Sequence, residues 1–67
     1  MERVRMIGDY ELVYEPDMKM FRIMKKETEE FSAWYSREDA EDLKKMDEDD
    51  FFATAEEAIS RARDSGD

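Results

Sequence analysis

The hydrophobic period of this chain changes once, at Ser36. Before that point 10-YELVYE-15 alternates, with Tyr10, Leu12 and Tyr14 on one side and Glu11, Val13 and Glu15 on the other. Successive strand side chains face opposite ways, so this pattern predicts a strand with one buried face. Upstream, 3-RVRMI-7 is expected to start the same strand, with Gly8-Asp9 as a bend or bulge. Pro16 presets φ for the second position of a type I turn over 15–18, and Asp17 suits the third. The chain resumes as 18-MKMFRIMKK-26, where Phe21 and Ile23 share one face and Met18, Met20 and Met24 the other. Apolar residues on both faces predict a central strand. A polar turn at 27-ETEE-30 leads to a third strand, 31-FSAWY-35, with Phe31, Ala33 and Tyr35 on one side and Trp34 on the other.

After Ser36 the spacing is helical. Ser36 and Asp39 make a capping-box-like start for a helix over 37–46, whose narrow apolar stripe is Ala40, Leu43 and Met46. Thr54 and Glu57 suggest a second box for a helix over 55–64. There Ala55, Ala58, Ile59 and Ala62 follow the i, i+3, i+4, i+7 rule, and Ser65-Gly66 is the stop. An internal echo, 34-WYSREDA-40 against 52-FATAEEA-58, reads as one way of starting a helix used twice. Phe51 and Phe52 are expected to be buried anchors and are candidates for a short fourth strand. The expected fold is therefore α+β, a single small domain over 1–67. An antiparallel three-stranded sheet, extended by that fourth strand if it forms, is packed on one face by two short helices.

Composition narrows the chemistry. The 67 residues include no Cys and no His. Disulfides, thiolate sites, the usual general base near neutral pH and the commonest transition-metal ligand are all missing. No apolar run approaches the roughly 20 residues of a membrane span, and the start does not resemble a signal peptide. The expectation is a cytoplasmic chain with no cofactor and no metal. Paired carboxylates can act as acid and base only in a cleft that separates their pKa values, and so small a chain has little room for one. An EF-hand loop starting at Asp47 would need an oxygen ligand at Phe51, Gly at Phe52 and Glu at Ala58. The chain is not expected to be an enzyme.

What remains is charge. The formal net charge is −9, and it is unevenly spread. Residues 1–26 carry five acids and six bases, whereas residues 27–67 carry fifteen acids and five bases. Such a field disfavours nucleic acid as a direct partner and favours a basic surface. Some acids have ordinary local roles. Glu38 and Asp39 are expected in one helical first turn, Glu56 and Glu57 in the other, where they meet the positive end of the helix dipole. Glu41 has Lys45 and Arg37 at i±4, and Glu57 has Arg61. Asp42, the turn residues Glu27, Glu29 and Glu30, and the run Asp47, Glu48, Asp49 and Asp50 have no such partner nearby in sequence. On a helical wheel Glu38, Glu41 and Asp42 fall opposite Ala40 and Leu43. Eight of the thirteen positions from Glu38 to Asp50 are acidic. At 1.5 Å rise per helical residue, that strip approaches the charge density of duplex DNA, about one per 1.7 Å.

A short, acidic chain without Cys or His resembles the small anti-defence proteins of phages and mobile elements, anti-CRISPR and other anti-restriction proteins among them. Glu38, Asp39, Glu41, Asp42, Asp47, Glu48, Asp49 and Asp50 carry the resemblance. It implies a non-enzymatic inhibitor that mimics DNA. Its carboxylates would fill a nucleic-acid-binding groove of a basic partner in a host cell, a CRISPR effector subunit being one candidate. The basic stretches 3-RVR-5 and 25-KK-26 depart from a uniformly acidic mimic and imply a one-sided one. The alternative is an acidic structural or regulatory interaction module, monomer or homodimer, that docks through its Met-rich strand face. That face is otherwise a second, thin core beneath the N-terminus.

Overall fold

The computed structural model describes residues 1–65. Four antiparallel strands form one meandering sheet in the order β1-β2-β3-β4, followed by two helices. The strands are β1 (Glu2–Ile7), β2 (Tyr10–Glu15), β3 (Met20–Lys25) and β4 (Glu30–Phe31). The helices are α1 (Arg37–Lys45) and α2 (Glu48–Ser65). The α+β class, the sheet and the two helices follow the sequence reading, and three particulars differ.

The first is β1. Residues 3–7 do not begin the strand of Tyr10 but form a separate strand that pairs back onto it, with Ile7 opposite Tyr10. Gly8 has φ +57°, while Asp9 is not in the positive-φ region. A two-residue loop with Gly at its first position is the type II′ hairpin, whose twist matches that of the strands. Alternation alone could not show the reversal, because a two-residue turn interrupts the pattern so briefly. A bulge between Arg3 and Arg5 then shifts the register by one residue. It lets Val4 and Arg5 both reach the side of the sheet that carries the core.

The second difference is at 31–35. Phe31 pairs with Met24, but the next bridge is Tyr35 to Phe21, so four steps on one side match three on the other. Between them the buried Ser32 hydroxyl accepts the Ile23 amide at 2.9 Å and donates to the Ala33 carbonyl at 2.8 Å. A side chain thus takes the place of a backbone partner in the ladder. The extra residue breaks the alternation: Phe31 lies on the face of Met24, and Tyr35 lies on the opposite face with Phe21. The expectation that both share a side is corrected.

The third is α2. Phe51 and Phe52 form no strand; they lie within the first turns of α2, which starts at Glu48. The Asp47 carboxylate accepts the Asp50 amide at 2.9 Å and serves as the N-terminal cap. Thr54 is inside the helix, and its hydroxyl lies 3.7 Å from the Met46 sulfur. The echo with 34–40 therefore marks only one helix start. Ser36 does cap α1, accepting from Asp39 N at 3.2 Å. Of the expected stop at Ser65-Gly66, Gly66 lies outside the described residues.

Both helices lie on one face of the sheet. The core between them comprises Tyr10, Leu12, Phe21 and Ile23 from the strands, Ala40 and Leu43 from α1, and Phe51, Ala55 and Ile59 from α2. Each of the two longer hairpins closes with a four-residue loop whose last residue is left-handed, Lys19 at φ 55° and Glu29 at φ 58°.

Candidate functional site

The acids first. Along α1, Ala40 and Leu43 are buried while Glu38, Asp39 and Asp42 are exposed, as the wheel requires. Glu41 pairs with Lys44 at 2.9 Å rather than with Lys45 or Arg37. The Lys44 ammonium beside it holds the Glu41 carboxyl below its usual range. Around Glu38, Asp39 and Asp42 no cation lies within 4.0 Å among the described residues.

The run Asp47, Glu48, Asp49 and Asp50 is not a loop. It is a cap followed by three exposed carboxylates in a first helical turn. Four backbone N–H groups without helical partners face that turn, so negative charge there is favourable. These acids, which lacked a local role in the sequence reading, have one. They still have no cation within 4.0 Å among the described residues. The segment is also firmly held. Phe51, next to Asp50, is fully buried, and the Arg5 guanidinium lies 4.9 Å from its ring centroid. Phe52 is 39% exposed, not buried, and packs edge-on against Tyr10 at 5.2 Å and above Gly8.

The third group divides. Glu27 and Glu29 are exposed in the β3–β4 turn, where the Glu27 amide donates to Asp9 at 3.1 Å. Glu30 is engaged: Arg63 of α2 grips both its oxygens at 2.7 Å. That guanidinium, helped by the Thr28 hydroxyl, lowers the Glu30 carboxyl to about 2.

The eight acids from Glu38 to Asp50 thus fall into two clusters rather than one strip. One decorates the outward side of α1 and the other opens α2. α1 is nine residues long, about 14 Å at helical rise, and Lys44 and Lys45 stand between Asp42 and Asp47 in the chain. Among the described residues no three carboxylates converge closely enough to hold a metal ion. No described helix is long and apolar enough to cross a membrane.

Two further features bear on function, and only the first escaped the sequence reading. A shallow cleft of about 310 Å³ lies between α1 and the sheet, floored by Val4, Tyr14 and Phe21 and rimmed by Glu2, Arg37, Glu41 and Lys44. Of the acids singled out in the sequence, only Glu41 touches it. The other feature is the sheet face turned away from the helices. The first strand is part of the sheet and does not cover this face, but Val13, in register with Arg3 and Arg22, is buried there beneath the long side chains of its neighbours. Here Arg22 lies 3.6 Å from the Phe31 ring centroid and 4.5 Å from that of Trp34, and it bonds Glu15 at 2.9 Å. Glu11, 5% exposed, is paired with Arg3. This is the Met-rich strand face, with Met20 and Met24, that the sequence reading named as an alternative docking surface.

The chain matches no protein-family model, and neither a curated protein nor a solved structure resembles it significantly.

Proposed function

We propose that this chain is a non-enzymatic inhibitor that docks on a basic, nucleic-acid-binding protein and occupies the groove meant for phosphates. The start of α2 is its principal contact. The observation that supports this reading is the run Asp47–Asp50: four consecutive exposed carboxylates, unpaired among the described residues, on a helix end anchored by buried Phe51. A fixed helix end loses less conformational entropy on binding than a free acidic tail. Its carboxylates are spaced to accept charge-assisted hydrogen bonds from Arg and Lys. The outward acids of α1, Glu38, Asp39 and Asp42, add a second contact. Glu27 and Glu29 belong to a more distant turn and contribute to the long-range field. Glu30 and Glu41, already paired, contribute least. Such a mimic fits anti-defence inhibitors acting in the cytoplasm of a host cell, with a CRISPR effector subunit as one candidate partner.

The test is pull-down from host lysate against salt, with a variant that keeps the helix start intact. Asp47→Asn still caps. Combined with Glu48→Gln, Asp49→Asn and Asp50→Asn, it removes the charge without removing the cap. Binding should weaken steeply with salt in the wild type and be lost in the variant. Retention of the partner by the variant, or binding indifferent to salt, removes the reading.

A further inference from the structure

We infer that the uncovered sheet face docks a single amphipathic helix of a partner protein, with carboxylates along one flank of that helix. Met6, Glu11, Met24 and Phe31 form one row across the strands of this face. Arg22 stacks on Phe31 and Trp34 beside that row. Met, aromatic residues and Arg are the types enriched in protein interfaces. Met6 and Trp34, 42% and 37% exposed, keep apolar surface open at opposite edges of the face. Met side chains are flexible enough to seat the ridges of an incoming helix.

Charge selects an acidic occupant. Arg3, Arg22 and Lys26 stand on this face against Glu11 and Glu15. The N-terminal ammonium, 3.9 Å from Glu15, adds to the positive side. The face is therefore positive within a molecule of net charge −9. Glu11 and Glu15 are already paired, with Arg3 and Arg22. Lys26 is not. Its ammonium lies 3.2 Å from the Met6 sulfur, a weak acceptor, and no carboxylate lies within 4.0 Å of it among the described residues. Arg3 keeps 60% of its side chain exposed. Arg3 and the Lys26 ammonium thus line the β1 side of the face, and the aromatic rings line the β4 side. A helix with an apolar stripe and a few carboxylates on one flank meets both sides at once. A second copy presenting this same face would bring like charge. Nucleic acid carries negative charge along its whole length, which the net −9 opposes.

Size selects a helix. β1, β2 and β3 have six residues each, and β4 has only two. Three strands at about 4.8 Å spacing and about 3.3 Å per residue make a platform of about 14 by 20 Å. One helix, 10–12 Å across and rising 1.5 Å per residue, covers that platform with about 13 residues. The footprint is about 300 Å² per side, too small for the surface of a folded protein, whose stable complexes bury roughly 1,200–2,000 Å² in total. A helix laid here completes a third layer, opposite α1 and α2. The contact is weak and reversible, as its area requires.

Trp34 is the single tryptophan of the chain, so its fluorescence reports from this face alone. The probe is a synthetic, tryptophan-free helix of about 14 residues, with Leu at i, i+3, i+4 and i+7 spacing and Glu along one flank. A second peptide carries Lys in place of each Glu. The Glu-flanked peptide should shift Trp34 emission to the blue and saturate below about 1 mM. The Lys-flanked peptide is drawn to the acidic helices and should leave Trp34 unmoved. Lys26→Glu should weaken the Glu-flanked peptide about three-fold, within the usual worth of an exposed ion pair. It should also let the Lys-flanked peptide reach Trp34, which mere misfolding would not produce. Met24→Glu should weaken the Glu-flanked peptide about ten-fold or more by setting a carboxylate in the apolar row. The proposal is overturned by an emission unmoved at millimolar peptide, by equal shifts from both peptides, or by a Lys26→Glu variant that binds both as the wild type does. Tighter binding of oligothymidylate at Trp34, or self-association that quenches the response, also overturns it. The α2 variant that loses its basic partner should keep the Trp34 response intact, so the two readings fail separately.

Discussion

The guanidinium of Arg5 donates to the carbonyl of Leu43 at 2.7 Å, across 38 positions of sequence. It also reaches the Lys44 carbonyl at 3.2 Å, and its plane lies over Phe51. One side chain from β1 thereby closes the C-terminal end of α1, where carbonyls lack helical partners and positive charge is favoured. It also braces the residue that anchors α2. Replacing Arg5 with Met keeps the volume and removes both bonds. Urea unfolding should show a loss of about 1.5–3 kcal/mol, the usual worth of hydrogen bonds to a charged group. Arg5→Lys should recover only part of it, because an ammonium cannot span two carbonyls and stack on a ring as well.

Asp47 separates structure from recognition. Asp47→Ala should lower stability by about 1 kcal/mol through loss of the cap, while Asp47→Ser should leave thermal unfolding nearly unchanged. If the alanine variant unfolds at the wild-type temperature, α2 does not start where the Asp50 amide bond places it.

Lys19 and Glu29 hold left-handed backbone angles that cost a residue with a Cβ about 1–2 kcal/mol. Glycine meets no such penalty, although it gives up more freedom on folding. Lys19→Gly and Glu29→Gly should each therefore raise stability, by about 0.5 kcal/mol or slightly more. The two loops are far apart, so the double variant should show the sum. A decrease in denaturation midpoint for either would contradict the assigned loop geometry.

Glu30 carries a pH dependence with a definite sign. Its carboxyl is depressed to about 2 by Arg63, against an ordinary value of 4.5. The ionised form is favoured by folding, so this contribution is fully present above about pH 4.5. It is lost progressively as the pH falls toward 2. Wild type and Glu30→Gln should therefore differ in stability at neutral pH and converge over that window. Carbon-13 NMR of the Glu30 carboxyl should give a midpoint of about 2, and a midpoint at the ordinary value of 4.5 would refute the Arg63 clamp.

Much of the sheet could be read from the chain because β2 and β3 are amphipathic in register: Leu12 faces Ile23 and Tyr14 faces Phe21, as alternation demands. Ser36 was legible as a cap for the same local reason. The start of α2 was misplaced because two capping signals compete. Thr54 and Glu57 have the spacing of a capping box, yet Asp47 lies at the point where the chain leaves α1 and wins. Burying Phe51 at the junction of α1, α2 and Arg5 requires helix from that point onward. Of the candidate acids, the outward face of α1 was readable from its wheel. The engagement of Glu30 by Arg63 was not, since 33 residues separate them.

By itself the sequence determined those things that depend on neighbours within a few positions: strand alternation, the cap at Ser36, the buried stripe of α1, and the excess of negative charge after residue 26. Only tertiary structure decided that residues 3–7 fold back as β1 and that Phe31 and Tyr35 part to opposite faces. It alone set Arg63 on Glu30 and left one sheet face without a covering helix. The physical reason is the same in each case. A hydroxyl at Ser32, a bulge at Arg3–Arg5 and a guanidinium at Arg5 act through hydrogen bonds to backbone groups remote in sequence. No periodicity within one segment encodes which distant carbonyl or amide will need a partner.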